Sequence, residues 1–228
     1  MSEHDRATDT GPGTETPPAT PPTTPPTTSP TAPPAASEDA APGALRLVED
    51  FVNTLSVETG TEALTDPTAL AAWLTAYGLL PAGAPADEAG LERARIVREG
   101  LRALLADHNA ARATPNEHDG HHEHDGEPYA QALAALDTAA RELPLVFDPY
   151  ADPPRLAPAT SGTVDSALAR LLGHVAEAAA AGTWVRMKAC RMCAWAYYDH
   201  SRNRSRAWCS MALCGNRAKA KAFRDRTR

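Results

Sequence analysis

The chain has 228 residues, 43% hydrophobic but only 5% aromatic, and a formal net charge of −7, which allows one ordinary domain plus a small appendage and suggests an Ala/Leu-rich helical core. No stretch approaches the roughly 20 apolar residues that span a bilayer. The opening residues, MSEHDRATDTGPG, also lack the basic-then-apolar order of a secretory signal, so a cytoplasmic protein with reduced thiols and no membrane partner is expected.

Residues 1–43 hold eleven prolines and ten threonines. Such a segment cannot bury enough surface to offset its ordering entropy, and it reads as a disordered tail. In LRLVEDFVNTL, Leu47, Phe51, Val52 and Leu55 share one helical face, with a short strand as the alternative. Asp66-Pro67 has the form of an N-cap followed by proline at the first helical position. Leu70, Trp73, Leu74 and Tyr77 then recur with helical spacing up to Gly78, which can end the helix in left-handed geometry. A longer helix is predicted over 88–112, with Val97, Leu101, Leu104, Leu105 and His108 inward. The His-rich segment 114–128 carries no apolar periodicity and reads as a solvated insertion; His118, His121, His122 and His124 also make it metal-philic. Tyr129, Leu133, Leu136, Ala140 and Leu143 mark a further helix. Two short strands follow, near Leu145–Phe147 and Arg155–Ala157, joined by a Pro/Asp turn. A last helix of this body runs over about 164–181 to Gly182.

The four cysteines, Cys190, Cys193, Cys209 and Cys214, are spaced C-x2-C-x15-C-x4-C. Two close pairs separated by a loop suit a tetrahedral ion, each pair supplying two thiolates at metal–sulfur distances of about 2.3 Å. AWAYYD and RAWC on either side of HSRNRS suggest a hairpin with Trp195 and Tyr197 on one face. GNRAKAKAFRDR then has the propensity of an exposed helix, so knuckle, hairpin and helix suggest a treble-clef-like finger. Residues 183–228 contain too little core to fold reliably alone. A structural zinc ion contributes on the order of 10–16 kcal/mol to such a site. Two disulfides would need an oxidising compartment, and a redox C-x-x-C would need a βαβ context. An iron–sulfur cluster uses the same ligand type. Four thiolates close the coordination sphere, so one structural Zn2+ is expected and no catalytic role.

Charge is unevenly divided. From Trp184 to Arg228 there are twelve Lys/Arg and two acids, a net of +10, which leaves −17 for the remainder. Arg202, Arg204 and Arg206 crowd the SRNRSR loop. Arg217, Lys221 and Arg224 form one helical stripe, with Lys219 to the side. With Asn203 and Asn216 as the polar residues for base edges, this surface suits phosphate contact and readout. The alternative is docking on the acidic body of the same chain.

CRMCAWAYYDHSRNRSRAWCSMALCGNRAKAKAFRDR closely resembles the CGNR zinc finger, whose eponymous run is here Cys214-Gly215-Asn216-Arg217. LVEDFVNTL, DPTALAAWL and the helical body at 44–182 resemble the ABATE domain that usually precedes it, in bacterial stress-induced transcription regulators. The resemblance implies DNA binding by the finger, with the four cysteines as ligands. Ala207 departs from the family pattern where a further basic residue is common, and Glu49 interrupts a usually more apolar segment.

The expectation is therefore a mainly α (α+β) protein: a tail (1–43), a mostly helical body with a small β-hairpin (44–182), and a zinc finger (183–228). A DNA-binding regulator is the leading reading, with the body as sensor or oligomerisation unit. An RNA-binding or protein-docking zinc module, or a small-molecule-binding body stabilised by zinc, is the alternative. A homo-oligomer is compatible with either, and no motif of a known enzyme class is present.

Overall fold

A computed structural model of the chain describes residues 39–110 and 126–227. The Pro/Thr-rich segment up to residue 38 and most of the His-rich insertion lie outside the described residues. Residues 39–43, expected in the tail, belong to the fold: Ala41 is buried and its backbone N–H donates to Glu49 Oε2 at 2.7 Å. This accounts for Glu49, the acid that breaks the apolar pattern. Burial raises its pKa, and it sits at the inner surface because a backbone donor must be satisfied there.

The first helix, α1 (Leu45–Val52), stops before Leu55 because Thr54 Oγ1 turns back to the Phe51 carbonyl. Leu55 instead enters a two-residue strand β1 (Leu55–Ser56), paired antiparallel with β2 (Thr61–Glu62). Helix α2 (Pro67–Ala76) starts as the sequence predicts: Asp66 Oδ1 accepts from Ala69 N at 2.9 Å, with Pro67 at the first position. The long helix α3 (Glu88–Ala110) is the central element. Its inward stripe, Val97, Leu101 and Leu105, is fully buried. On an adjoining face Arg102 donates to the Val52 and Leu55 carbonyls, while Arg98 binds Thr54 and Glu62. Arg102 thus satisfies the backbone where α1 gives way to β1, and Arg98 ties down the Thr54 and Glu62 side chains beside it.

Helix α4 (Gly126–Arg141) begins three residues before Tyr129, with Pro128 in the first turn, where a missing N–H is not felt. It packs on α3 at Gly100, where an added Cβ would lie 2.4 Å from Leu136 Cβ. Strands β3 (Leu145–Asp148) and β4 (Arg155–Pro158) form the expected hairpin. Helix α5 (Val164–Ala180) opens with a Thr163/Ser166 capping box. A 3-10 turn at Trp184–Arg186 leads into β5 (Met187–Ala189) and β6 (Ala196–Tyr198). The chain ends in a π-helical turn (Met211–Gly215) and helix α6 (Asn216–Arg226). Mainly helical with small antiparallel hairpins, the fold is of the expected class. Among the described residues no helix is long and apolar enough to cross a membrane.

One apolar core runs from Ala41 to Tyr198 and takes in Trp184, Met187, Ala189, Ala196 and Tyr198 from the C-terminal part. Gly100→Ala should lower stability by about 1–3 kcal/mol through overpacking against Leu136, despite alanine's better helix propensity. A thermal melt of the variant checks this.

Candidate metal centre

Strands β5 and β6 pair Met187 with Tyr198, Lys188 with Tyr197, and Ala189 with Ala196. Because side chains alternate, the first and last pairs enter the body's core, while Lys188 and Tyr197 share the other face, where Tyr197 packs against Cys190 and Cys214. Several polar fasteners fix this docking. Asn53 makes a two-point amide clamp on Ala196, donating to its carbonyl at 2.9 Å and accepting its N–H at 2.8 Å. His108 Nδ1 lies 2.8 Å from the Met187 carbonyl, and Asn109 Nδ2 donates to the carbonyls of Ala189 and Ala207.

The turn of this hairpin is the first cysteine pair. Cys190 N donates to the Trp195 carbonyl and Ala194 N to the Cys190 carbonyl, which closes the knuckle. Ala194 adopts φ 58°, the left-handed conformation that a reversal this tight requires. The sequence suggested a hairpin between AWAYYD and RAWC; the strand partner is Met187–Ala189 instead. Residues 206–208 are not a strand because side chains use their carbonyls. Lys188 Nζ and Tyr197 OH both donate to Arg206 O, and Asn109 to Ala207 O. Trp195 and Tyr197 consequently do not share a face: Trp195 is exposed in the knuckle and Tyr197 is buried beside Cys190 and Cys214.

The second pair arrives on the far side. Cys209 precedes the π-helical turn, whose Leu213 N is capped by Ser210 Oγ, and Cys214 lies within that turn, two residues before α6. All four thiols are free, and their sulfurs lie within 4.8 Å of one another. Three of the six edges are 3.6 Å (Cys193–Cys209), 3.7 Å (Cys209–Cys214) and 3.6 Å (Cys214–Cys193). A tetrahedral ion with bonds of about 2.3 Å requires edges near ~3.8 Å, whereas a disulfide requires about 2 Å. The donor set therefore fits a tetrahedral thiolate metal site, and the disulfide reading falls.

Thiols this close cannot all ionise unaided. Hydrogen bonds from Cys193 and Cys209 hold Cys190 far below the ordinary thiol range, while contact with Cys190 pushes Cys193 up to about 12 and Cys209 higher still. A divalent cation bound among them would allow all four to be thiolates. The backbone amides of Met192 and Cys209 also help to lower the Cys190 pKa.

Two buried groups organise the loop between the pairs, and neither stood out in the sequence. Lys188 (1% exposed) and Asp199 (0% exposed) form an ion pair at 2.7 Å, and Lys188 also donates to the Arg204 and Arg206 carbonyls. Burial by itself would raise the Asp199 pKa, but Lys188 and Ser201 hold the carboxylate below its usual range. One of the twelve C-terminal cations is thus internal. Leaving one partner of such a pair alone costs about 3–5 kcal/mol.

Of the other sequence-selected residues, Arg202 and Asn203 are exposed on the loop, and Arg204 is half-buried with φ 52°. Arg206 is anchored: Nε donates to Trp208 O at 2.8 Å, a terminal nitrogen to Cys209 O, and the guanidinium lies 5.3 Å from the Tyr197 ring centroid. Asn216 donates to the Ala212 carbonyl. Arg217 pairs with Glu58 of the β1–β2 turn, and Lys221 with Asp225. Lys219 and Arg224 are exposed on α6.

Residues 45–183 match the family model ABATE, described as a putative stress-induced transcription regulator, and residues 186–227 match the CGNR zinc finger. No curated protein matches the chain. Cys193→Ser should abolish stoichiometric metal binding and loosen the 209–226 segment. Elemental analysis with amide exchange measures both effects.

Proposed function

Since the chain belongs to the ABATE family and ends in a CGNR zinc finger, we propose that it is a DNA-binding transcription regulator whose four thiolates hold one structural zinc ion. Cys190, Cys193, Cys209 and Cys214 would fill all four positions of that ion. It would then supply folding energy and no open site for chemistry, and we read the protein as a binding protein rather than an enzyme. Reduced thiols of this kind accord with a cytoplasmic location.

The observation that carries the reading is the placement of α6. The helix leaves directly from the metal-held turn, and Arg217, Lys221 and Arg224 share one of its faces. Arg202 and Asn203 stand on the neighbouring exposed loop. A rigid helix beside a loop, both basic, is an arrangement that meets phosphates on either side of a groove. The body would then supply sensing or self-association. Val146, Phe147, Tyr150 and Leu156, all exposed on the β3–β4 hairpin, favour the latter.

With six phosphate contacts, affinity for mixed duplex DNA should fall with a log–log salt slope of about −5. Replacing Arg217, Lys221 and Arg224 together by alanine should reduce the slope by roughly three contacts' worth while the metal is retained. Fluorescence anisotropy across a salt series checks both. A chain that prefers an RNA pool, or binds neither pool at low salt, would contradict the DNA reading.

A further inference from the structure

Helix α6 has an inner side and an outermost line. The inner side begins at Gly215, where an added Cβ would run into Met211 and Trp208. Ala218, 4% exposed, and the half-buried Ala222 continue it. With Asn216 as origin, Ala220 and Phe223 fall within about 40° of it, on the side turned away from Ala218. All three residues are exposed, Phe223 by 62%.

Cations lie on both shoulders of this line. Arg217 and Arg224 stand about 80–100° to one side, with Lys221 beyond them, and Lys219 and Arg226 stand about 60–80° to the other. Arg217 also pairs with Glu58 of the body at the N-terminal end of its row. Asp225, the one acid of α6, lies on the inner side of the helix and pairs with Lys221. The helix therefore presents an uncharged line between two cationic rows.

A single exposed aromatic residue is ordinary on a protein surface. Phe223 differs in its setting: it is the one large apolar side chain of an eleven-residue helix, and it sits on the outermost line. A helix lying on a membrane presents a broad apolar face instead, which one phenylalanine beside alanine does not make.

The dimensions are those of a major groove. An α-helix with its side chains is about 10–12 Å across and the groove of B-DNA about 12 Å wide. A helix lying in it turns one line to the base edges and its two shoulders to the two phosphate backbones. From Asn216 to Phe223 the helix rises about 10 Å, close to three base-pair steps of about 3.4 Å. Asn216, the polar residue expected to read bases, donates from Nδ2 to the Ala212 carbonyl at 3.0 Å, so part of its amide is engaged within the chain. Phe223 is the largest outward surface, and an apolar side chain in the major groove discriminates by contact with the 5-methyl group of thymine. We propose that Phe223, with Ala220 beside it, reads thymine methyl groups in duplex DNA while the cationic rows on either side hold the two backbones. This rests on the duplex-binding reading and adds to it the face of α6 that meets the bases and the base that it selects.

The full metal-loaded chain is titrated by fluorescence anisotropy with a labelled alternating dA·dT duplex, and with the same duplex carrying uracil for every thymine. The two have the same phosphates and pairing and differ in the methyl group, which alternation presents in every register. The thymine duplex is expected to bind about fourfold tighter, the scale of one buried methyl or methylene group. Phe223→Ala should bring that ratio to one and leave the salt slope unchanged, because no charge is altered. Circular dichroism and metal content show that this variant is folded. Lys219→Ala combined with Arg226→Ala should do the reverse, lowering the slope by about two contacts' worth while the ratio is kept. A ratio of one in the parent, with both duplexes bound, would overturn the assignment of Phe223 and leave the regulator reading standing. So would a folded Phe223→Ala chain that keeps the parent's ratio. Binding to neither duplex at low salt would remove the regulator reading and this one with it. Phe223-dependent binding to vesicles of anionic phospholipid, beside a ratio of one, would assign the residue to a membrane surface instead.

Discussion

The β5–β6 hairpin is a three-residue ribbon with two obligations, and most of the molecule's C-terminal organisation follows from meeting both. Its Met187, Ala189, Ala196 and Tyr198 side chains complete the core formed by α1, α3 and α5. Its turn presents Cys190 and Cys193, and its other face carries Tyr197 beside the cysteines and Lys188 on the 199–206 loop. A ribbon this short is not stable in isolation. It is fixed from one side by apolar burial and from the other by the thiolate cluster. Asn53, His108 and Asn109 set its position by bonding backbone groups that a wider sheet would have paired. The finger is therefore not a bead on a linker. Its orientation relative to the body is determined by the same contacts that build the core.

That orientation settles where the charge goes. The acidic body does not absorb the basic end wholesale. Arg217 meets Glu58, and Arg206 approaches Asp39, both at the margin of the finger. Lys188 is taken inside to hold the 199–206 loop, where its charge serves the fold. On α6 itself, Arg217, Lys221 and Arg224 share one face and Lys219 and Arg226 lie on the other, toward Trp208. The cysteine cluster gives both faces a stiff base, since α6 starts two residues after Cys214.

Much of this was legible in the residues. The Asp66-Pro67 start of α2, the inward stripe of α3, the β3–β4 hairpin and the four cysteines each rest on local patterns: capping chemistry, periodicity and ligand spacing. What escaped was non-local. The pairing of β5 with β6 was hidden because Met187–Ala189 is too short to show alternation. RAWC looked like the better strand until its carbonyls proved to be occupied by Lys188, Tyr197 and Asn109. Arg98 and Arg102 lie off the apolar stripe of α3, yet both are buried, Arg102 on the Val52 and Leu55 carbonyls some fifty residues away and Arg98 on the Thr54 and Glu62 side chains.

If the hairpin is shared in this way, metal binding and body folding belong to one cooperative unit. Differential scanning calorimetry of the full chain, before and after removal of the metal by a chelator, tests this directly. The shared-hairpin account predicts that chelation shifts the main transition, the one that melts α1, α3 and α5, to lower temperature. A main transition that keeps its midpoint while only a small separate transition disappears would contradict it, and would make the finger an independent appendage.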